Sequence, residues 1–152
     1  MTSAIQAQIS EDMKAAMRAK DADRLGTIRL ILAAVKQREV DERITLTDEQ
    51  IIALMDKMVK QRRESIAQYE AGQRPELAAK EKEEILVIQH YLPSQLSSEE
   101  INQLIHEAIR ETGASSARDM GKVMGLLKPK MQGRADMTQV SNQVKDQLTA
   151  LS

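Results

Sequence analysis

The chain contains no cysteine, no tryptophan and no phenylalanine. Without cysteine there is no disulfide framework, no thiolate nucleophile, and no Cys-based zinc or iron–sulfur site. Two tyrosines are the only aromatic residues, so the usual platforms for stacking bases or nucleotide rings are missing. No apolar run approaches the roughly 20 residues that a membrane-spanning helix needs. The N-terminus begins polar and lacks the apolar core of a signal peptide. Neither sign of charge dominates: 22 basic residues face 23 acidic ones, for a net charge of -1. A nucleic-acid role would therefore need a local patch. These absences together read as a cytoplasmic protein with no membrane partner.

What is present is aliphatic. Hydrophobic residues make up 41% of the chain, enough for a globular core. That core has to be built from Leu, Ile, Val, Ala and Met, with flexible Met filling irregular gaps.

The apolar residues recur at helical spacing. Ile5, Ile9, Met13, Ala16 and Met17 mark a first helix over Ser3 to Lys20. Asp21 suits the cap of a second helix, which carries Leu25, Ile28, Leu32 and Val35 to about Arg43. Thr47 and Gln50 have capping-box spacing ahead of a third helix with Ile51, Leu54, Met55, Met58, Ile66 and Tyr69. Gly72 stands where a left-handed C-terminal cap belongs. Pro75 fits the first turn of a fourth helix, which continues through Ile85, Leu86 and Ile88 to about Leu92.

Leu92-Pro93 breaks the pattern, because the residue before proline is pushed away from helix. Ser97 or Ser98 caps a fifth helix, and Ser97 with Glu100 again has capping-box spacing. Gly113 closes it. Ser115 or Ser116 opens a sixth helix, which Pro129 ends or kinks. Asp136 caps a final helix with Val140, Val144 and Leu148 inward. No segment alternates with period two, so no strand is expected. The predicted fold is all-α: a helical bundle or long hairpin over 1–93, then a small three-helix domain over 94–152.

Catalytic constellations are absent. His90 and His106 are the only histidines, and neither has metal-ligand spacing. The carboxylates Glu81, Glu83 and Glu84 alternate with Lys80 and Lys82, which reads as a solvated helix face more than a cation site. Lys60, Arg62 and Arg63, flanked by Asp56 and Glu64, read the same way. We expect no catalytic residue, no metal and no cofactor.

The stretch Arg118 to Arg134 is different. Arg118, Lys122, Lys128, Lys130 and Arg134 face the single acid Asp119, a local charge of +4 in a neutral chain. The same stretch holds Gly121, Gly125 and Gly133. Gly121 and Gly125 share one helix face, where each glycine costs about 1 kcal/mol relative to alanine. Either another helix or a phosphate backbone approaching closely would offset that cost. Lysine and arginine nearby would then neutralise phosphates without reading sequence.

Three passages carry a family resemblance: MKAAMRAKDADRLGTIRLILAAVKQREVD near the N-terminus, KEKEEILVIQHYLPSQLS from Lys80, and MGKVMGLLKPKMQGRADM from Met120, the last followed by TQVSNQVKDQL. Together they resemble the YqeY family, also called GatB/YqeY, over essentially the whole chain. The resemblance implies an all-α fold with a smaller C-terminal domain. That domain is similar to the tail of the B subunit of tRNA-dependent amidotransferases, which convert misacylated Glu-tRNA(Gln) or Asp-tRNA(Asn) with glutamine as amide donor. In those enzymes the tail helps hold tRNA and the chemistry lies elsewhere, so a carbon–nitrogen ligase label would be inherited by similarity. Carried over, Lys122, Lys128, Lys130 and Arg134 would contact tRNA phosphates, while Gly121, Gly125 and Gly133 would permit close backbone approach. The implied partners are tRNA and a tRNA-handling enzyme. A protein-interaction module with no RNA role is the alternative.

Overall fold

The computed structural model describes residues 3–151. The outermost residues of the two expected domains, 1, 2 and 152, lie outside that range. Among the described residues there are seven α-helices, one short 3₁₀ turn and no strand. The protein is all-α.

Local chemistry sets the helix ends. Ser3 Oγ accepts from the Gln6 amide at 3.1 Å and starts α1, Ala4–Ala19. Asp21 does the same for α2, Ala22–Glu42. The Thr47–Gln50 pair forms both bonds of a capping box at the start of α3, Asp48–Ala71. Pro75 is the first residue of α4, Pro75–Gln89. A second complete capping box, Ser97 with Glu100, opens α5, Ser98–Thr112. Helices α6, Met120–Met131, and α7, Met137–Leu151, complete the chain.

Three expectations need correction. The left-handed residue after α3 is Gln73 (φ 58°), not Gly72, whose φ is -85°. A Cβ on Gly72 would stand 3.3 Å from the Gln68 carbonyl oxygen, so a side chain there would press on that carbonyl. Neither Ser115 nor Ser116 opens α6 directly. The Asp119 carboxylate takes the Ser115 amide at 2.9 Å, and a 3₁₀ turn over Ala117–Asp119 precedes the helix. Pro129 does not end α6, which runs on to Met131. Proline forfeits one bond, to the Gly125 carbonyl, within the last turn, where few bonds remain to be lost.

The chain divides into two compact units, Met1–Leu92 and Pro93–Ser152. The first is a four-helix bundle in which α3 packs on α4, and α1 on α2. Its core is Ile9, Ile28, Ile31, Val35, Leu46, Ile51, Met55, Val59 and Ile88, with their neighbours. The second unit packs α5 on α6 and α6 on α7. Its separate core is Ile105, Val123, Leu127, Met131, Val140, Val144 and Leu148 with small alanines between. Met17 and Leu86, which match the apolar spacing, point outward instead.

Inside the first unit the Tyr91 hydroxyl donates to Asp12 Oδ2 at 2.6 Å. Burial, then the Asp12 carboxylate, pushes the Tyr91 phenol well above its ordinary range. A group whose folded pKa is raised stabilises the fold below its unfolded pKa and loses that contribution as pH rises. Tyr91→Phe is therefore expected to lower stability by about 1 kcal/mol at neutral pH. The gap from the parent protein should narrow above the ordinary tyrosine range. Urea melts of both proteins at neutral and alkaline pH check this, and a gap that holds or widens refutes it.

Candidate nucleic-acid interface

The second unit holds seven basic and seven acidic residues, so it is neutral as a whole. Its charges are separated instead. Glu99, Glu100, Glu107 and Glu111 lie on α5, while five bases lie between Arg118 and Arg134.

Helix α6 organises the basic side. Val123, Met124, Leu127 and Met131 are buried and leave the opposite face outward. Gly121, Lys122, Gly125, Lys128 and Pro129 are all exposed there. At about 100° per residue, Lys122 and Lys128 stand roughly 60° to either side of Gly125. Gly121, Gly125 and Pro129 recur every four residues, forming a low ridge between two ammonium groups that is bare at the two glycines and ends on the proline ring. Lys130 is exposed farther round the helix, and Arg118 is exposed in the 3₁₀ turn. None of these four cations forms an ion pair among the described residues.

The glycines on this ridge do not pack against another helix. Beyond the adjoining residues and the helix's own backbone, no atom lies within 4 Å of where a Cβ would stand on Gly121 or Gly125. Gly133 is a different case. It is buried, has φ 76°, and its carbonyl accepts from Gln95 Nε2 at 2.8 Å. It makes the turn between α6 and α7 and offers no surface for a backbone to approach.

Arg134 also leaves the patch. It is half-buried, and its Nε donates to the Ser94 carbonyl at 3.0 Å. Its own carbonyl accepts from the Leu96 amide at 2.8 Å. With Leu96, Glu100, Gln103, Leu104 and Glu107 it lines a cavity of about 230 Å³. The Ser97 backbone and hydroxyl hold the Glu100 carboxyl below its usual range, and the Arg134 charge adds to this. Arg134 thus braces the segment before α5. Sequence spacing counted it with the lysines because the fold-back of 133–134 onto 94–96 is invisible in one dimension.

Asp119 remains beside the basic group. Its carboxyl is lowered first by the Ser115 amide and to a lesser degree by the Lys122 charge. His106 is exposed on α5, and the His90 ring meets Tyr91 edge-on at 5.2 Å. Among the described residues no three His, Cys, Asp or Glu side chains gather where a metal ion could sit. No helix among them is long and apolar enough to cross a membrane.

One ion pair between helices escaped the sequence reading. Arg62 is not on a solvated face: its Nε reaches Glu84 at 2.9 Å and Glu81 at 3.8 Å, joining α3 to α4. The mixed signs around Lys80 concealed it, since only the α3–α4 packing shows which acid meets which base.

The model of the Yqey-like protein family matches residues 6–148. The chain belongs to this family. Among curated proteins it is similar to several named "Altered inheritance of mitochondria protein 41, mitochondrial". The one from Pyrenophora tritici-repentis is 31% identical over 145 residues, covering 91% of this chain and 78% of the relative. The one from Vanderwaltozyma polyspora is 39% identical over 87 residues, covering 57% of this chain and 47% of the relative. The one from Eremothecium gossypii is 42% identical over 89 residues, with 57% and 48% covered. The chain thus spans about half the length of several of the family members it matches. Those names correct the cytoplasmic expectation, because the relatives are mitochondrial by name. A lack of cysteine and of long apolar runs does not distinguish one aqueous compartment from another.

Proposed function

We propose that this chain is a tRNA-binding accessory module that holds the sugar–phosphate backbone on α6 of its second unit. In this reading it works beside a tRNA-dependent amidotransferase or another tRNA-handling enzyme and makes no bond itself. One observation carries the proposal: Lys122 and Lys128 stand exposed and without ion pairs on either side of the Gly121–Gly125 ridge. Side-chain bulk is missing where a phosphodiester backbone would lie, and charge is available on both flanks. Both tyrosines belong to the first unit, so recognition would rest on shape and phosphate, not on base stacking. The acids of α5 would repel a polyanion and orient it toward α6.

Labelled tRNA titrated by fluorescence anisotropy at several salt concentrations tests this. Four phosphate contacts, from Arg118, Lys122, Lys128 and Lys130, predict a slope of log affinity against log salt of roughly -3. Lys122→Glu with Lys128→Glu should weaken binding about tenfold or more at fixed salt, with an unchanged melting temperature. Arg134→Ala should lower stability instead. Absence of tRNA retention at low salt defeats the proposal.

A further inference from the structure

Pro129 leaves one acceptor open on α6. In a regular helix the amide of residue 129 would donate to the carbonyl of Gly125, and proline has no such amide. Gly125 and Pro129 are both exposed. The Gly125 carbonyl has therefore lost its helical donor and has no side chain of its own to cover it. Lys122 and Lys128 lie three residues to either side, about 4.5 Å before and after it along the helix axis.

An acceptor between two cations selects different atoms of a nucleic acid. The ammonium groups attract phosphate oxygens. A carbonyl oxygen repels them and needs a donor, and the only donor on a sugar–phosphate backbone is the ribose 2′-hydroxyl. In an A-form duplex those hydroxyls line the wide, shallow minor groove, with a phosphate strand along each edge. The α6 face has the same order of cation, acceptor, cation. Its two lysines stand on opposite flanks, not in the single row that one strand would follow. The second unit also has no Tyr, Phe or Trp, and its one histidine lies on α5, so unpaired bases would find no stacking platform beside α6. Resting on the tRNA-binding reading above, we propose that α6 enters the minor groove of an RNA stem. There the Gly125 carbonyl accepts from a 2′-hydroxyl, while Lys122 and Lys128 hold phosphates of the two strands.

Fluorescence anisotropy on the full chain tests this with three labelled probes: an RNA hairpin, the same hairpin with 2′-fluoro in place of every stem 2′-hydroxyl, and an unpaired RNA of equal length. Fluorine keeps the A-form shape and every phosphate but removes the donor. The RNA hairpin should bind about fivefold more tightly than its fluoro counterpart, with the same salt slope. The unpaired strand should bind more weakly than the RNA hairpin. Pro129→Ala returns an amide to the Gly125 carbonyl and places a better helix former in α6, so the fold should be kept, which circular dichroism verifies. The two hairpins should then bind this variant with nearly equal affinity. Equal affinity for both hairpins in the parent protein overturns the proposal. So does a preference that survives Pro129→Ala, or an unpaired strand that binds as tightly as the hairpin. If tRNA binds but the hairpins are not distinguished, only the groove contact fails. If no RNA is retained at low salt, the tRNA-binding reading fails with it.

Discussion

Leu127→Ala is expected to destabilise the second unit by about 3 kcal/mol. Leu127 has no exposed surface and sits in the core formed by Val123, Met131, Val140, Val144 and Leu148. Truncation removes buried methyl groups and leaves a cavity that three helices can close only in part. A small unit has little stability in reserve, so this loss is a large share of the total. Urea unfolding followed by circular dichroism checks it, with residue-resolved NMR to assign the change to residues beyond Pro93. The first unit has its own core and should retain its midpoint. A loss below about 1 kcal/mol would mean that the site collapses freely and that the core is not packed as described. If the tRNA proposal holds, this variant should also lose RNA binding, whereas the lysine pair loses binding with the fold intact.

Arg62→Ala is expected to destabilise the first unit by about 2–3 kcal/mol. The Arg62 and Glu84 side chains are 14% and 16% exposed, so water screens their pairing only weakly. Arg62 Nη1 also donates to the Met58 carbonyl at 3.3 Å. Removing the guanidinium strands Glu84, and Glu81 with it, at the α3–α4 contact. Converting Arg62 to Met and Glu84 to Leu together should recover part of the loss, because only Glu81, the more exposed and more distant of the two acids, is then left without its partner. The more exposed pairs Arg38–Glu42 and Lys82–Glu70 should each contribute well under about 1 kcal/mol. Thermal melts of the single and double variants measure the coupling. If Arg62→Ala matched an exposed-pair deletion, the inter-helix pairing would be incidental.

The sequence by itself determined the helices and most of their ends. Capping boxes at Thr47 and Ser97, the proline at 75 and the left-handed Gly113 act within a few residues of the chain, so their chemistry is legible in one dimension. The apolar period likewise marked which face of α6 and α7 turns inward. Tertiary structure alone decided the rest. Gly133 and Arg134 left the basic stretch because the turn after α6 closes on Gln95, Ser94 and Leu96. Arg62 became half of an inter-helix pair, and Leu86, apolar and in register, came to face solvent. A helix period says only that one side must be covered. Which neighbour covers it, and which charge meets which, depends on contacts between residues tens of positions apart.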